Sequence, residues 1–198
     1  MKELNLRIVG ETSLLTHNNQ AANPFSVYSQ LLKGLTPKKK KTDADFKEIA
    51  RLEWESGLYL HEGVVSIPGA NFDRCFWDGA KKTKDGVKWR SGAMVATDHV
   101  DLSYAGKQIR ISGSTDIPNP ELDCFYETNK HQAIVKVNNS QVLRTRPIFE
   151  DWSCFLAIIY DETILDDRTL SQITSSAGRL VGLCEMRPRM GRFTVETV

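Results

Sequence analysis

The sequence predicts an α+β protein built on a ferredoxin-like, RRM-like sheet in the order β-α-β-β-α-β, with helices and strands inserted into it. Three observations carry this. The strand candidates alternate apolar and polar residues, as antiparallel strands with one buried face do. Two helical stripes, one after "SIPG" and one after "LDDR", separate the strands. The most apolar run, "DWSCFLAIIYD", lies between those stripes in sequence and suits a central strand.

Each element has its own local reason. Leu4, Leu6 and Ile8 give the first strand an apolar face. "ETSLLTHNNQAANPF" is polar and Asn-rich, and predicts an irregular connection. Pro24 opens a short helix carrying Phe25, Tyr28, Leu31 and Leu32, which Gly34 ends. After the charged linker "TPKKKKTDADF", Thr42 and Asp45 resemble a capping box. The helix it starts places Phe46, Ile49, Ala50 and Trp54 on one side and stops at Gly57. "GLYLHEGVVSIPG" reads as a hairpin turning at "HEG", between Leu58–Leu60 and Val64–Ile67. Pro68 and Gly69 end it, and a helix begins near Ala70 with Phe72, Cys75, Phe76 and Ala80 as its buried stripe.

Asp85-Gly86 is a turn signal. The β-branched stretch from Ala93 to Ile111 predicts two or three strands, and "SGSTDIPNPELD" a surface loop. "QAIVKVNNSQVLRTRPIF" is a hairpin turning at Asn138, Asn139 and Ser140. Asp167 caps a helix showing Leu170, Ile173, Ala177, Leu180 and Val181, and "RFTVETV" is the final strand. With the insertions set aside, the order is strand, helix after "IPG", hairpin, strand, helix, strand. The chain thus reads as a single domain over 1–198, with an inserted helical segment at about 18–57 and an inserted β segment at about 88–130.

The bulk composition narrows the function classes. The chain has 198 residues, of which 40% are hydrophobic and 26% charged, enough for one substantial core. A formal net charge of +1 excludes a uniformly basic protein, yet the signs cluster. Basic groups gather at Lys38 to Lys41, at Lys81 to Arg90 and at Arg179 to Arg192; acidic ones gather at Asp116 to Glu127 and Asp161 to Asp167. Such clustering builds a steering field without large net charge. Cys75, Cys124, Cys154 and Cys184 are far apart with no C-x-x-C pair, which favours buried free thiols in a reducing cytosol. No apolar run nears the ~20 residues of a membrane helix, and the start of the chain reads as a strand, so a soluble, cytoplasmic protein is expected.

The strand leading into "GETSLLTH", the strand-turn-helix "SIPGANFDRCFWDGAKK" and the turn "GLCEMRPRMGRF" before the last strand resemble the RAMP superfamily. That group of RNA-recognition-like proteins includes the backbone subunits of CRISPR effector complexes. Its members carry "IPG" at the end of a strand, here Ile67, Pro68 and Gly69, and a Gly-rich loop before the last strand, here Gly182 to Arg192. This loop has only Gly182 and Gly191, which shifts weight from backbone amides to arginines. The layout is also similar to an uncharacterised family of proteins carried by tailed bacteriophages, in which "RTRPIF" and "RPRMGRF" segments recur. The resemblance implies a nucleic-acid-binding protein that holds single-stranded RNA or DNA along a basic groove. It further implies a repeating subunit of a filament or effector-like complex, with itself and other effector or phage proteins as partners.

The residues point the same way. Arg187, Arg189 and Arg192 sit in a turn that Pro188 stiffens, and guanidinium forks match phosphate oxygens. The competing expectation pairs them with Asp161 to Asp167. Arg144 and Arg146 share one face of their strand by the period of two, as a phosphate track or as a solvated sheet face with acidic neighbours. Lys38, Lys39, Lys40 and Lys41 read as a solvated loop or as a basic finger. Lys81, Lys82 and Lys84, with Lys88, lie beside Trp89, which either stacks on a base or packs. Enzyme signals are weaker. His17, His61, His99 and His131 are scattered with no metal-ligand spacing, so no metal and no cofactor is expected. His99 shares a strand face with Asp101, as a surface hydrogen-bonded pair or as an oriented acid-base pair, and His17 follows the first strand, where RNA-cleaving relatives of the superfamily can carry a general base. A metal-independent endoribonuclease is therefore the alternative, and a phage structural or partner-binding protein a third reading.

Overall fold

The strand Trp152–Tyr160 buries every second residue, and that alternation organises the main sheet. The computed structural model describes residues 1–111, 120–137 and 139–198. Residues 112–119 of the expected surface loop, and Asn138 of the expected turn, lie outside them.

In chain order the elements are β1 (Lys2–Gly10), β2 (Leu14–Leu15), α1 (Val27–Leu35), α2 (Asp43–Ser56), β3 (Leu60–His61), β4 (Val64–Pro68) and α3 (Gly69–Lys82). Then come α4 (Gly86–Gly92), β5 (Ala93–Val95), β6 (His99–Tyr104), β7 (Lys107–Gln108), α5 (Pro120–Thr128), β8 (Lys130–Val137) and β9 (Ser140–Phe149). Last are β10 (Trp152–Tyr160), α6 (Asp167–Ser176), a π-helical turn at Ala177–Val181, and β11 (Phe193–Thr197). The protein is α+β, with an eight-stranded antiparallel sheet, a small three-stranded sheet and six helices among the described residues. The chain divides into two compact units: Met1–Leu14, Leu60–Ile111 and Phe149–Val198 form the first; Leu15–Tyr59 and Ser112–Ile148 form the second.

The first unit holds the main sheet, ordered β11-β1-β10-β6-β4-β3, with β5 also paired to β10 and β7 to β6. Register puts Leu6 opposite Leu156 and Ile8 opposite Cys154, so β1 and β10 bury the same face. The intervening residues, Arg7 opposite Phe155, lie on the other face, and Phe155 is exposed there. Helix α3 contributes Phe72, Cys75, Phe76 and Ala80 to the core, as its stripe predicts. Phe76 touches both Trp89 and Phe193, and Phe193 touches Trp152, which ties the α3 side to the buried face of the sheet. Helices α3 and α6 pack so closely that a Cβ on Gly79 would lie 2.8 Å from the Ile173 carbonyl oxygen. The β3–β4 hairpin turns on Glu62 and Gly63, both left-handed.

The second unit holds α1, α2, α5 and the β8–β9 hairpin, which belongs to the three-stranded sheet ordered β2-β9-β8. Helix α2 starts on the expected capping box: Thr42 accepts from the Asp45 amide at 3.2 Å, and Asp45 accepts from the Thr42 amide at 2.9 Å. Trp54 anchors this unit, edge-on to Phe125 and Tyr126, with its Nε1 donating to the Asn129 carbonyl at 2.8 Å.

Several expectations need correction. The "QAIVKVNNSQVLRTRPIF" hairpin is not part of the main sheet; the strands from Ala93 to Gln108, expected as insertions, are. Pairing partners are non-local, and alternation looks the same in either sheet. Helix α1 begins after Ser26, leaving Phe25 exposed and keeping Gly34 inside. Phe46 and Leu180 are exposed at 56% and 59%: Phe46 stands in the first turn of α2, and Leu180 in the π-helical turn after α6. Asp166, not Asp167, caps α6, accepting from the Thr169 amide at 2.7 Å. "NPELD" is not all loop: Pro120 opens α5, a first-turn position where its missing N–H costs nothing. Asp85-Gly86 leads into the short helix α4, and Trp89 is buried within it.

Candidate nucleic-acid interface

In the first unit, the C-terminal loop is held from several sides. Leu183 N donates to the Gly191 carbonyl at 2.8 Å, and Gly191 N to the Ser13 carbonyl at 2.9 Å. Arg192 N donates to Thr12 Oγ1 at 2.9 Å, and Cys75 Sγ to the Gly182 carbonyl at 3.1 Å. Gly191, at φ +71°, comes so close to Leu183 that a Cβ would lie 2.0 Å from its carbonyl oxygen. Cys184 and Met186 are left-handed without being glycine, at φ 60° and 56°. Such residues cost about 1 kcal/mol or more each and persist only where the surroundings over-determine them. The loop is a built feature that carries its arginines on a fixed backbone.

Arg187, Arg189 and Arg192 are all exposed, and none forms an ion pair among the described residues. The acidic stretch expected to neutralise them is engaged locally. Asp161 accepts from Thr163, Asp166 from Thr169, Asp167 from the Tyr160 hydroxyl, and Glu162 pairs with Lys2. Threonine bonds lead the causes that hold Asp161 and Asp166 below the usual carboxylate range, and the arginine that contributes, at Asp166, is Arg168 and not one of the C-terminal loop.

Arg187 shares an open groove of about 750 Å³ with Lys81, Lys82, Asp78, Cys184 and Glu185. Two of the predicted lysines and one predicted arginine therefore meet in one place. Lys82 and Lys84 are exposed and form no ion pair among the described residues; Lys81 pairs with Asp78 at 2.8 Å. Burial opposes ionisation of Asp78, but bonds from Lys81 and Arg74 outweigh it and hold its carboxyl low. Beneath the arginine, burial pushes the Cys75 and Cys184 thiols up to about 12 against the pull of the Arg187 charge.

Of the two readings of Trp89, packing is the one observed. Trp89 is 1% exposed and packs on Phe76. Trp77 is the half-buried ring, with Lys81 Nζ 3.2 Å, Arg90 Cζ 3.9 Å and Arg74 Cζ 4.8 Å from its centroid. Cation–π attraction gathers these charges on the helix surface. Part of this was legible: Arg74 and Lys81 lie at i−3 and i+4 of Trp77. Arg90 comes from α4, and only the tertiary fold brings it in.

In the second unit, Arg144 and Arg146 line one cavity together with His17, as their shared strand face predicts. Arg144 is paired with Glu53, whose Oε2 also accepts from the Thr145 amide at 3.0 Å. Arg144 thus meets an acidic neighbour, and its charge is matched. In the "KKKK" run, Lys38 pairs with Asp45 at 2.6 Å and Lys41 Nζ donates to the Lys38 carbonyl, while Lys39 and Lys40 are exposed. His99 does not pair with Asp101. Its ring stacks on His61 at 3.8 Å, and Asp101 accepts from Gln108 Nε2 at 2.6 Å. His99 lies in the first unit and His17 in the second. Among the described residues, no three His, Cys, Asp or Glu gather within reach of one metal ion, and no helix is long and apolar enough to cross a membrane. No protein-family model matches the chain, and no curated protein matches it either.

Proposed function

We propose that the chain is a nucleic-acid-binding protein of the RAMP type, holding single-stranded RNA or DNA along the basic groove of its first unit. The observation that carries this is the groove where Arg187 meets Lys81 and Lys82, with Arg187 and Lys82 exposed and outside any ion pair among the described residues, on a loop that also exposes Arg189 and Arg192 unpaired. Arginines used only for solubility or packing would have no need of a strained, multiply anchored loop. Phosphate oxygens supply what these guanidinium groups lack, and binding by counterion release is tight at low salt and nearly sequence-blind.

The first unit is read as ferredoxin-like. Support comes from β1, α3, β5, β10, α6 and β11 following one another with the strands in the spatial order β11-β1-β10-β5, all antiparallel. That is the 4-1-3-2 arrangement of a split βαβ sheet. Repetition as a subunit along the strand, in the cytoplasm and alongside other effector or phage proteins, belongs to the same reading. Filter binding of labelled single-stranded RNA and DNA at low salt tests it. Retention of either by the wild type, lost with R187A/R189A/R192A, is the expected result; no retention of any nucleic acid by the wild type overturns it.

A further inference from the structure

The cavity of the second unit has chemistry that the groove reading does not use. It encloses about 300 Å³, and its wall includes His17, Asn18, Asn19, Glu53, Arg144 and Arg146. Glu53 pairs with Arg144 through Oε1, and its Oε2 takes the Thr145 amide. Arg146 forms no ion pair among the described residues, and its Nε is buried with no hydrogen-bond partner. Directly across the ladder, His131 also leaves its Nδ1 buried and unpartnered. A buried donor on a permanently charged group is costly to leave bare, and native structures rarely do so without a ligand, an ion or water.

We propose that this cavity is a binding site for the phosphate monoester of a nucleoside. The cavity carries one positive charge, that of Arg146, beyond the matched Arg144–Glu53 pair. The two terminal nitrogens of a guanidinium donate in parallel to two oxygens of one phosphate, which would match the charge Arg146 leaves unpaired. A bare phosphate would leave most of the volume empty. A single nucleoside suits a pocket of about this size. Asn18 spends its Nδ2 on the Leu58 carbonyl at 3.0 Å, which leaves its Oδ1 and the Asn19 amide as polar groups for a base edge. The site rests on second-unit residues alone, and it stands whether or not the groove binds a strand.

The test is calorimetric titration of the full chain with AMP, inorganic phosphate and adenosine. AMP should bind saturably and inorganic phosphate more weakly, with adenosine giving no heat. Arg146→Ala should weaken AMP by about tenfold or more, the scale of one charge-assisted bond. Arg146→Lys keeps the charge but loses the fork and should fall between the two, and circular dichroism checks that both variants fold. R187A/R189A/R192A should bind AMP as the wild type does, which separates this site from the groove. Competition then names the source. Displacement of AMP by a 5′-phosphorylated oligonucleotide but not by its unphosphorylated twin assigns a strand end; no displacement by either assigns a free nucleotide. The absence of saturable binding of both AMP and phosphate to the wild type overturns the proposal. So does unchanged AMP affinity in folded Arg146→Ala.

Discussion

The two arginine groups of this protein sit under opposite physical conditions. Arg187, Arg189 and Arg192 stand in solvent on a rigid loop with no carboxylate paired to them among the described residues. Arg144 and Arg146 stand on a strand, half-buried in a cavity wall, and one of them is neutralised by a buried glutamate. Sequence alone treats them alike, as arginines spaced by two or three. The difference teaches that an arginine's part is set by what it is paired with and how much water it keeps. An exposed, unpaired guanidinium suits a long polyanion, whereas a buried one with an orphaned donor suits a small ligand.

The contrast can be broken from the loop side first. Gly191→Ala puts a Cβ into the Leu183 carbonyl at a left-handed position, so urea denaturation should show a loss of about 3 kcal/mol. It should also lower nucleic-acid binding without removing a single charge. Wild-type stability in this variant would mean that the loop is not held as described.

From the hairpin side, Arg144→Ala strands the Glu53 carboxylate, which is 8% exposed, and should cost about 2 kcal/mol in the same assay. In contrast, R187A/R189A/R192A should change stability by about 0.5 kcal/mol or less, since surface changes away from packed features are small. If the triple variant proves the more destabilised of the two, the comparison is reversed.

How far the sequence reached follows from which signals are local. The α3 stripe, the α2 capping box, the hairpin before "IPG" and the central place of β10 all depend on neighbours within a turn or a strand, and each is present. The sheet that takes the β8–β9 hairpin depends on partners far along the chain. Its alternating residues carry no mark of which edge they meet. The site divides in the same way. Exposure of the C-terminal arginines follows from a polar, Pro-containing turn, whereas the Glu53 carboxylate that claims Arg144 comes from a helix 91 residues away.

Two smaller effects sharpen the picture. A bond from Lys38, then the Thr42 amide, holds the Asp45 carboxyl down at about 2. Its folded value lies below the unfolded one near 3.9, so its contribution is complete above about pH 4 and is lost as pH falls through about 2. Asp45→Asn should flatten the acid limb of unfolding between those values, and an unchanged limb would contradict the capping assignment. Thiol labelling gives the smallest signal. Exposed Cys124 should react first, while Cys75 and Cys154, buried and with thiol pKa values pushed up by that burial, should react only on unfolding. Early labelling of Cys75 would show that the loop above it opens.

The central claim is that free guanidinium groups on the C-terminal loop grip a polyanion. Its most direct test is the salt dependence of single-stranded nucleic-acid affinity, wild type against R187A/R189A/R192A. The account predicts a linear fall of log affinity with log salt in the wild type, and a slope shallower by about 2 in the triple variant, at ~0.7 per lost phosphate contact. Equal slopes for the two proteins would contradict it.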